Sequence, residues 1–283
     1  MTHPDREDVS RELAQDEAGL SRRERSKVKD SQRLSALTVF SVIRREGEEE
    51  LHRPAASLWW SGIAAGFGIS TSVLCQGLLY DAYEGHPQRE IIAAWGYAMG
   101  FILVVLSRLQ LFTENTLSVV LPLLAGPSGT RFYRTGRLWL IVLLANMIGT
   151  MASAIIAVTI GSPDSELIAA MLAVSRHAAE SRGMEALLNG VPAGFFVAAI
   201  VWMLPSSKGF EIIVVGLFAW LIAAGGFTHV IAGSTEMFML ALHGDMSFGE
   251  AIGLHLLPTL IGNVIGGTGL FALLAYGQIQ AEI

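Results

Sequence analysis

Charge is the scarcest feature of this sequence. Only 16% of its 283 residues are Asp, Glu, Lys or Arg, against about 25% in an average soluble domain. That excludes an ordinary water-soluble enzyme surface. Cysteine is nearly absent as well: Cys75 is the single one, so no intrachain disulfide and no cysteine metal cluster can form. Cys75 sits in an apolar run and reads as a small packing residue. An excess of positive charge is also missing. The formal net charge is −6, and the basic residues before Pro54 are matched there by acids, so this segment is a mixed-charge tail rather than a nucleic-acid arm. The polar N-terminus lacks the apolar core of a secretory signal. No His/Glu metal motif occurs, and no serine or cysteine has an evident base beside it. No cofactor, no metal and no enzymatic activity are expected.

What the sequence has is apolar length. Hydrophobic residues make up 52% of it, and 30 glycines suit close helix packing in lipid. A membrane span needs about 20 mostly apolar residues. Six such stretches follow in order: 55–79, 91–125, 138–160, 186–204, 212–242 and 251–276. Before them, residues 1–32 are polar and read as disordered or loosely helical. Leu34, Leu37, Phe40 and Ile43 recur at helical spacing, which predicts a short amphipathic helix over 33–45, followed by a charged hinge over 46–53. The expected division is a tail, 1–53, and a membrane domain, 54–283. Residues 163–183 are helix-compatible but too charged to cross. Lys and Arg concentrate on the side of the N-tail, the Arg131/Arg134/Arg137 loop, Lys208 and the C-terminus. Both termini are therefore expected in the cytoplasm.

Two of the six stretches are interrupted. Arg108, Glu114 and Asn115 break the second. Gly225-Gly226-Phe227-Thr228-His229, with Ser234, Thr235 and Glu236 beyond, breaks the fifth. Irregular, polar backbone at membrane depth is tolerated only where protein or a water-filled cavity covers it. The stretches also repeat. Gly62-Ile63-Ala64-Ala65-Gly66-Phe67 echoes Gly190-Val191-Pro192-Ala193-Gly194-Phe195. Leu111-Phe112-Thr113-Glu114 echoes Gly226-Phe227-Thr228-His229, and Asn146-Met147-Ile148-Gly149 echoes Asn263-Val264-Ile265-Gly266. Three spans per half is an odd number, so the halves are inverted. Inverted repeats with broken helices point to a midplane site. The expected fold is all-α: six transmembrane helices in two inverted three-helix repeats, the second and fifth broken.

The motifs Leu111-Phe112-Thr113, Asn146-x-x-Gly149, Trp202-Met203, Phe227-Thr228-His229-x-Ile231-Ala232, Met237-Phe238 and Gly262-Asn263-x-x-Gly266-Gly267 resemble those of the formate/nitrite transporter family. The likeness runs over about residues 33–278. It implies an aquaporin-like fold, a homopentamer in the inner (plasma) membrane with one pore per subunit, and passage of small monovalent anions such as formate, nitrite or hydrosulfide. Carried over, the family's central pore histidine falls on His229 and its facing loop threonine on Thr113. The chamber-lining pair falls on Leu111 and Phe112, and the constrictions on Phe101, Tyr97 and Ile222. The sequence departs from the family pattern at Thr228, where a glutamate is common, at Gly194, where many members have asparagine, and at Ala178, where a lysine is frequent near the outer mouth.

These residues suggest a chemistry. A hydrated anion cannot pass apolar rings cheaply, but a weak acid can take up a proton, cross neutral and release it. Histidine titrates in the right range, so His229 is the expected link between anion and protons, with Thr113 holding the imidazole and helix ends adding their dipoles. A histidine merely satisfied inside a helix bundle is the plain alternative. Arg108 is expected to pair with Glu114 or Glu236 inside the membrane, or else these groups snorkel to the interface. By the repeat, Glu114 stands opposite His229 and would be the acid that controls it. Asn146 and Asn263 would satisfy backbone freed by the breaks, or act as interhelical glue. Trp139, Trp202 and Trp220 read as belt or packing residues, His255 as a locally bonded one, and His86 and His243 as solvated. A membrane scaffold with altered or lost transport is the competing function. An intramembrane enzyme using His229 and Glu236 fits poorly.

Overall fold

The computed structural model describes residues 19–160 and 165–282, so the expectation for the first eighteen residues falls outside the described part. The chain divides into Met1–Ser35 and Ala36–Ile283. In the first unit, helix α1 (Arg22–Ser31) opens on Ser21, whose hydroxyl accepts from the Glu24 N–H while Glu24 accepts from the Ser21 N–H. This reciprocal pairing closes the helix start.

The described residues of the second unit form ten helices: α2 (Ala36–His52), α3 (Ala55–Ala82), α4 (Arg89–Leu106), α5 (Asn115–Ala125), α6 (Gly129–Thr159), α7 (Glu166–Ala178), α8 (Met184–Met203), α9 (Glu211–Ala224), α10 (Val230–His243) and α11 (Phe248–Glu282). Among the described residues there is no strand. Among the described residues, five helices are long and apolar enough to cross a membrane; α5, α9 and α10 are shorter apolar pieces. The interruptions at 107–114 and 225–229 are real breaks.

Local chemistry moves several expected boundaries. The amphipathic helix runs on to His52, through the segment expected to be a hinge. The Arg131/Arg134/Arg137 segment is helical, because Ser128 caps α6 by accepting from the Arg131 N–H at 3.3 Å. Ser165 caps α7 in the same way through Ile168. α11 contains π-helical turns at Ala251–Leu256 and Ile265–Ala272.

Packing follows the breaks. α3 lies between α4 and α6, and α8 against α9 and α11. Each helix that follows a break crosses to the other half of the chain: α5 packs on α8 and α11, and α10 on α6, α7 and α3. Glycine makes these crossings close. A Cβ at Gly66 would strike Asn146 O, one at Gly149 would strike Ile63 O, one at Gly194 would strike Asn263 O and one at Gly266 would strike Val191 O. The departure at Gly194 thus has a steric reason: no asparagine fits there.

Candidate functional site

Both breaks begin with the same helix ending. At the end of α4, Leu109 N–H bonds back to Val104 O and Arg108 N–H to Val105 O; at the end of α9, Phe227 N–H bonds to Ile222 O and Gly226 N–H to Ala223 O. This is the six-to-one, five-to-two pattern of a Schellman ending, which needs a left-handed residue. Gly226 supplies it with φ 65° and Arg108 with φ 54°.

Both breaks then rest on an asparagine. Asn146 Oδ1 accepts from the Phe112 N–H at 2.9 Å, and its amide donates to Gly62 O and Gln110 O, both at 2.8 Å. Asn263 Oδ1 accepts from the Val230 N–H at 2.8 Å, and its amide donates to Gly190 O at 2.8 Å and Thr228 O at 2.9 Å. Both side chains are fully buried. Each asparagine therefore saturates backbone groups that a broken helix would leave orphaned.

The matched bonds correct the expected register. Phe112 stands with Val230, Gln110 with Thr228 and Arg108 with Gly226, a constant displacement of 118 positions. The shared Phe-Thr dipeptide suggested 115. In the bonded register Leu111, not Glu114, stands opposite His229.

His229 sits at the N-terminus of α10 and is 2% exposed. Its Nδ1 accepts from the Ala232 N–H at 3.2 Å, which caps the helix, and its Nε2 lies 2.7 Å from Thr113 Oγ1. With Nδ1 accepting, the ring proton is on Nε2 and is donated to Thr113. The threonine's own hydroxyl proton is then free to point elsewhere. Phe101 meets the imidazole edge-on at a centroid distance of 4.9 Å, and Tyr97 lies 5.3 Å from Phe101. Tyr97, Phe101, Leu111, Phe112 and Ile222 belong to one buried apolar cluster. A polar His229–Thr113 pair thus interrupts a greasy waist between the two breaks.

Other expected site residues behave differently. The Thr228 hydroxyl donates to Ala186 O at 2.7 Å, and its N–H bonds to Asn189 O. Arg108 pairs with neither Glu114 nor Glu236: it reaches Glu46 on α2 at 3.2 Å, on an exposed surface. The left-handed ending turns its side chain out of the break, toward a helix whose position sequence periodicity could not supply. Glu114 Oε1 is buried and has no hydrogen-bond partner. Glu114 lies within electrostatic reach of Arg108, Glu50 and Glu46, on the α2 side, and not on the vestibule wall with His229. The residue that links His229 to the second-helix break is Thr113.

α2 covers the first break. Gln110 donates to Glu50 Oε2 at 2.8 Å, Asn115 donates to Gln110 Oε1 at 3.1 Å, and Arg131 pairs with Glu48 at 2.7 Å. Gln110 was not singled out in the sequence, because its partner Glu50 lies 60 residues away on α2. The second break opens instead into a cavity of about 300 Å³, walled among others by Tyr97, Asn189, Phe227, Thr228, His229 and Glu236. Ala178 is on this wall too, and no lysine or arginine is. Among the described residues, no group of three or more His, Cys, Asp or Glu side chains is arranged to hold a metal.

Comparison with known proteins matches this arrangement. The family model described as formate/nitrite transporter aligns with residues 37–277. The chain belongs to the formate/nitrite transporter family. The Escherichia coli (strain K12) inner membrane protein YfdC is 36% identical over 248 residues, spanning 88% of this chain and 80% of that protein. The formate channel FocA of Haemophilus influenzae is 24% identical, spanning 84% of this chain and 94% of its own. In fold, the chain is similar to a pentameric formate channel with formate bound, with a TM-score of 0.70 and 21% identity over 80% of this chain and 98% of that one. This transporter's helices thus form a membrane channel fold.

Proposed function

We propose that this transporter is an inner-membrane channel for a small monovalent anion of the formate, nitrite or hydrosulfide class, in which passage is linked to protonation around His229. The carrying observation is the buried 2.7 Å contact between Thr113 Oγ1 and His229 Nε2, set in an apolar waist and braced by Asn146 and Asn263. Tyr97, Phe101 and Ile222 form the constrictions on this reading, and Leu111 and Phe112 line the approach. An anion arriving at the waist meets the free hydroxyl proton of Thr113, whose oxygen accepts the Nε2–H of His229. Charge-assisted bonds of this kind are stronger than neutral ones, so they offset part of the cost of shedding water. The matched asparagine bonds and helix endings support two inverted three-helix repeats. Similarity to a pentameric channel supports a homopentamer in the lipid bilayer with one pore per subunit, and the loop charges support cytoplasmic termini.

One observation favours a second reading, a scaffold with lost transport: α2 is pinned across the first break by Glu46, Glu48 and Glu50. Proteoliposome flux separates the two. Formate should run down its gradient, and His229→Ala should lower the rate about tenfold or more, the scale of losing a positioned polar group at a reacting centre. No wild-type flux of formate, nitrite or hydrosulfide leaves the scaffold.

A further inference from the structure

The proton that neutralises the anion needs a source, and the His229 ring is poorly placed to be one. Its Nδ1 is engaged by the Ala232 N–H and its Nε2 by Thr113. A second ring proton would set an N–H against the N–H groups that open α10 and lose the cap. The one proton it holds is a neutral imidazole N–H, far too weak an acid to protonate a carboxylate.

Glu236 is placed to do so. It is about two helical turns beyond the cap on α10, 6% exposed, and faces the same cavity as His229. Its carboxyl makes no hydrogen bond and no ion pair among the described residues. An ionised carboxyl out of bulk water and without a partner is costly, and carrying a proton removes that cost. Gln76, on the same wall, has a buried oxygen that is also unpartnered.

We propose that Glu236, on the vestibule wall, is the proton donor to the weak-acid anion. The inference rests on the anion reading above and names where the proton enters. The anion comes to rest between Glu236 and the His229–Thr113 pair. The O–H bond of Glu236 breaks as an O–H bond forms on the anion, and the electron pair stays on the Glu236 carboxylate. The neutral acid moves past Phe101, and vestibule water returns a proton to Glu236. Donation leaves Glu236 ionised and unpartnered, which costs free energy; the return of a proton from vestibule water removes that cost and completes the cycle. Thr113 and His229 orient the anion and keep their protons.

The ionisable groups facing Glu236 across the cavity are few. Tyr97 comes from α4, His177 from α7, Glu180 from the turn after it, Glu185 from α8, His229 from the break and His255 from α11. α3 offers the neutral Gln76, and α6 carries no ionisable side chain beyond Arg137. Glu180 is engaged with His177 at 3.4 Å and His255 with Ser181 O at 3.1 Å. Glu236 is the deep carboxyl left free.

The test is formate flux into proteoliposomes at an acidic and at a neutral pH, with oligomer size and melting temperature checked for each variant. Glu236→Gln should lose about tenfold or more of the acid-side flux, the scale of removing a positioned proton donor, and should flatten the pH profile. Glu236→Asp should keep the profile at a lower rate. His229→Asn should lower flux at both pH values alike. An unchanged profile in Glu236→Gln, or one flattened by His229→Asn instead, overturns the proposal. If Glu236→Gln fails to assemble, Glu236→His should move the midpoint of the profile, and an unmoved midpoint overturns it. Infrared difference spectra of the purified protein give a second readout: wild type should show a protonated-carboxyl band that Glu236→Gln lacks, and identical spectra count against the donor. Wild-type flux with an unaltered Glu236→Gln profile sinks the proton donor alone. Absent wild-type flux sinks the anion reading and takes the donor with it.

Discussion

At the first break the chain turns beneath α2, which braces it through Gln110 and Glu50; at the second it opens into a vestibule. The framework is the same in both, with a Schellman ending, an asparagine that accepts one N–H and donates to two carbonyls, and a short helix that crosses to the other half. The contents differ. The first break holds Gln110, bonded to Glu50 and Asn115, and brings Thr113 to His229 as its polar contribution beside apolar Leu111 and Phe112. The second holds His229 and leaves Glu236 without a partner. One backbone framework can thus be covered at one break and open at the other, because the asparagines satisfy backbone groups of both breaks and leave the loop side chains free to differ.

That division of labour predicts unequal damage. Asn263→Ala removes the partner of Val230 N–H, Gly190 O and Thr228 O in a break that is otherwise tied by Thr228 to Ala186 O and Asn189 O and borders the open vestibule. The loss should reach about 3 kcal/mol or more, since buried groups left unsatisfied cost about 1–3 kcal/mol each. Asn146→Ala removes an equal set, but Gln110, Glu50 and α2 brace that break from outside. It should melt several degrees above Asn263→Ala in thermal unfolding of the solubilised oligomer. Equal losses would mean that α2 contributes nothing to the first break.

Thr113→Val tests the contact between the breaks. It keeps the side-chain shape and deletes the hydroxyl, so folding should hold while flux falls about tenfold, near the 1.4 kcal/mol of one good polar contact. Thr113→Ser should retain most of the flux. A valine variant with wild-type flux would make the 2.7 Å contact a packing detail.

Much of this was legible beforehand, and the exceptions have physical causes. Asn146 and Asn263 stood out because two asparagines in apolar spans, each three residues before a glycine, need a reason. His229 stood out because an imidazole in lipid needs one too. The register did not emerge, because Phe112-Thr113 and Phe227-Thr228 are a chance likeness; the hydrogen bonds pair Phe112 with Val230 instead. The partner of Arg108 was hidden for a different reason. Charge spacing pointed to Glu114 or Glu236, or else to a snorkelling side chain. Arg108 does reach an exposed surface, but its partner is set by a left-handed backbone and a helix folded over from residue 46, and neither leaves a periodic trace.

Arg108 and Gly226 sharpen the comparison further, since they fill the same left-handed position. Arg108→Gly should gain about 0.5–1 kcal/mol by removing the strain of a side chain at φ 54°. The exposed pair with Glu46 that it gives up is worth less than about 1 kcal/mol. Gly226→Ala should lose about 1 kcal/mol, although nothing lies within 4 Å of the added Cβ, so the whole effect is conformational. Melting curves of the two variants should move in opposite directions. A shift in the same direction would mean the endings are not equivalent.

The smallest effect lies at the rims. The α2 face has Arg131 on Glu48 at 2.7 Å, and the vestibule face has Arg176 on Asp245 at 2.7 Å, with His243 adding 2.9 Å to the same carboxyl. The Arg176 hydrogen bond, aided by His243, holds the Asp245 carboxyl below the usual aspartate range. A group lowered in the folded state contributes stability above its unfolded value and loses it as pH falls through the folded one. Asp245 therefore stabilises at neutral pH and not in strong acid. Arg176 is about half exposed, so solvent screening limits the contribution to less than about 1 kcal/mol. Asp245→Asn should lower the melting temperature slightly at neutral pH, and the gap from wild type should close on acidification below the aspartate range. A gap that persists in acid would assign the effect to packing of the turn after α10 and remove the ion pair from the comparison of the two rims.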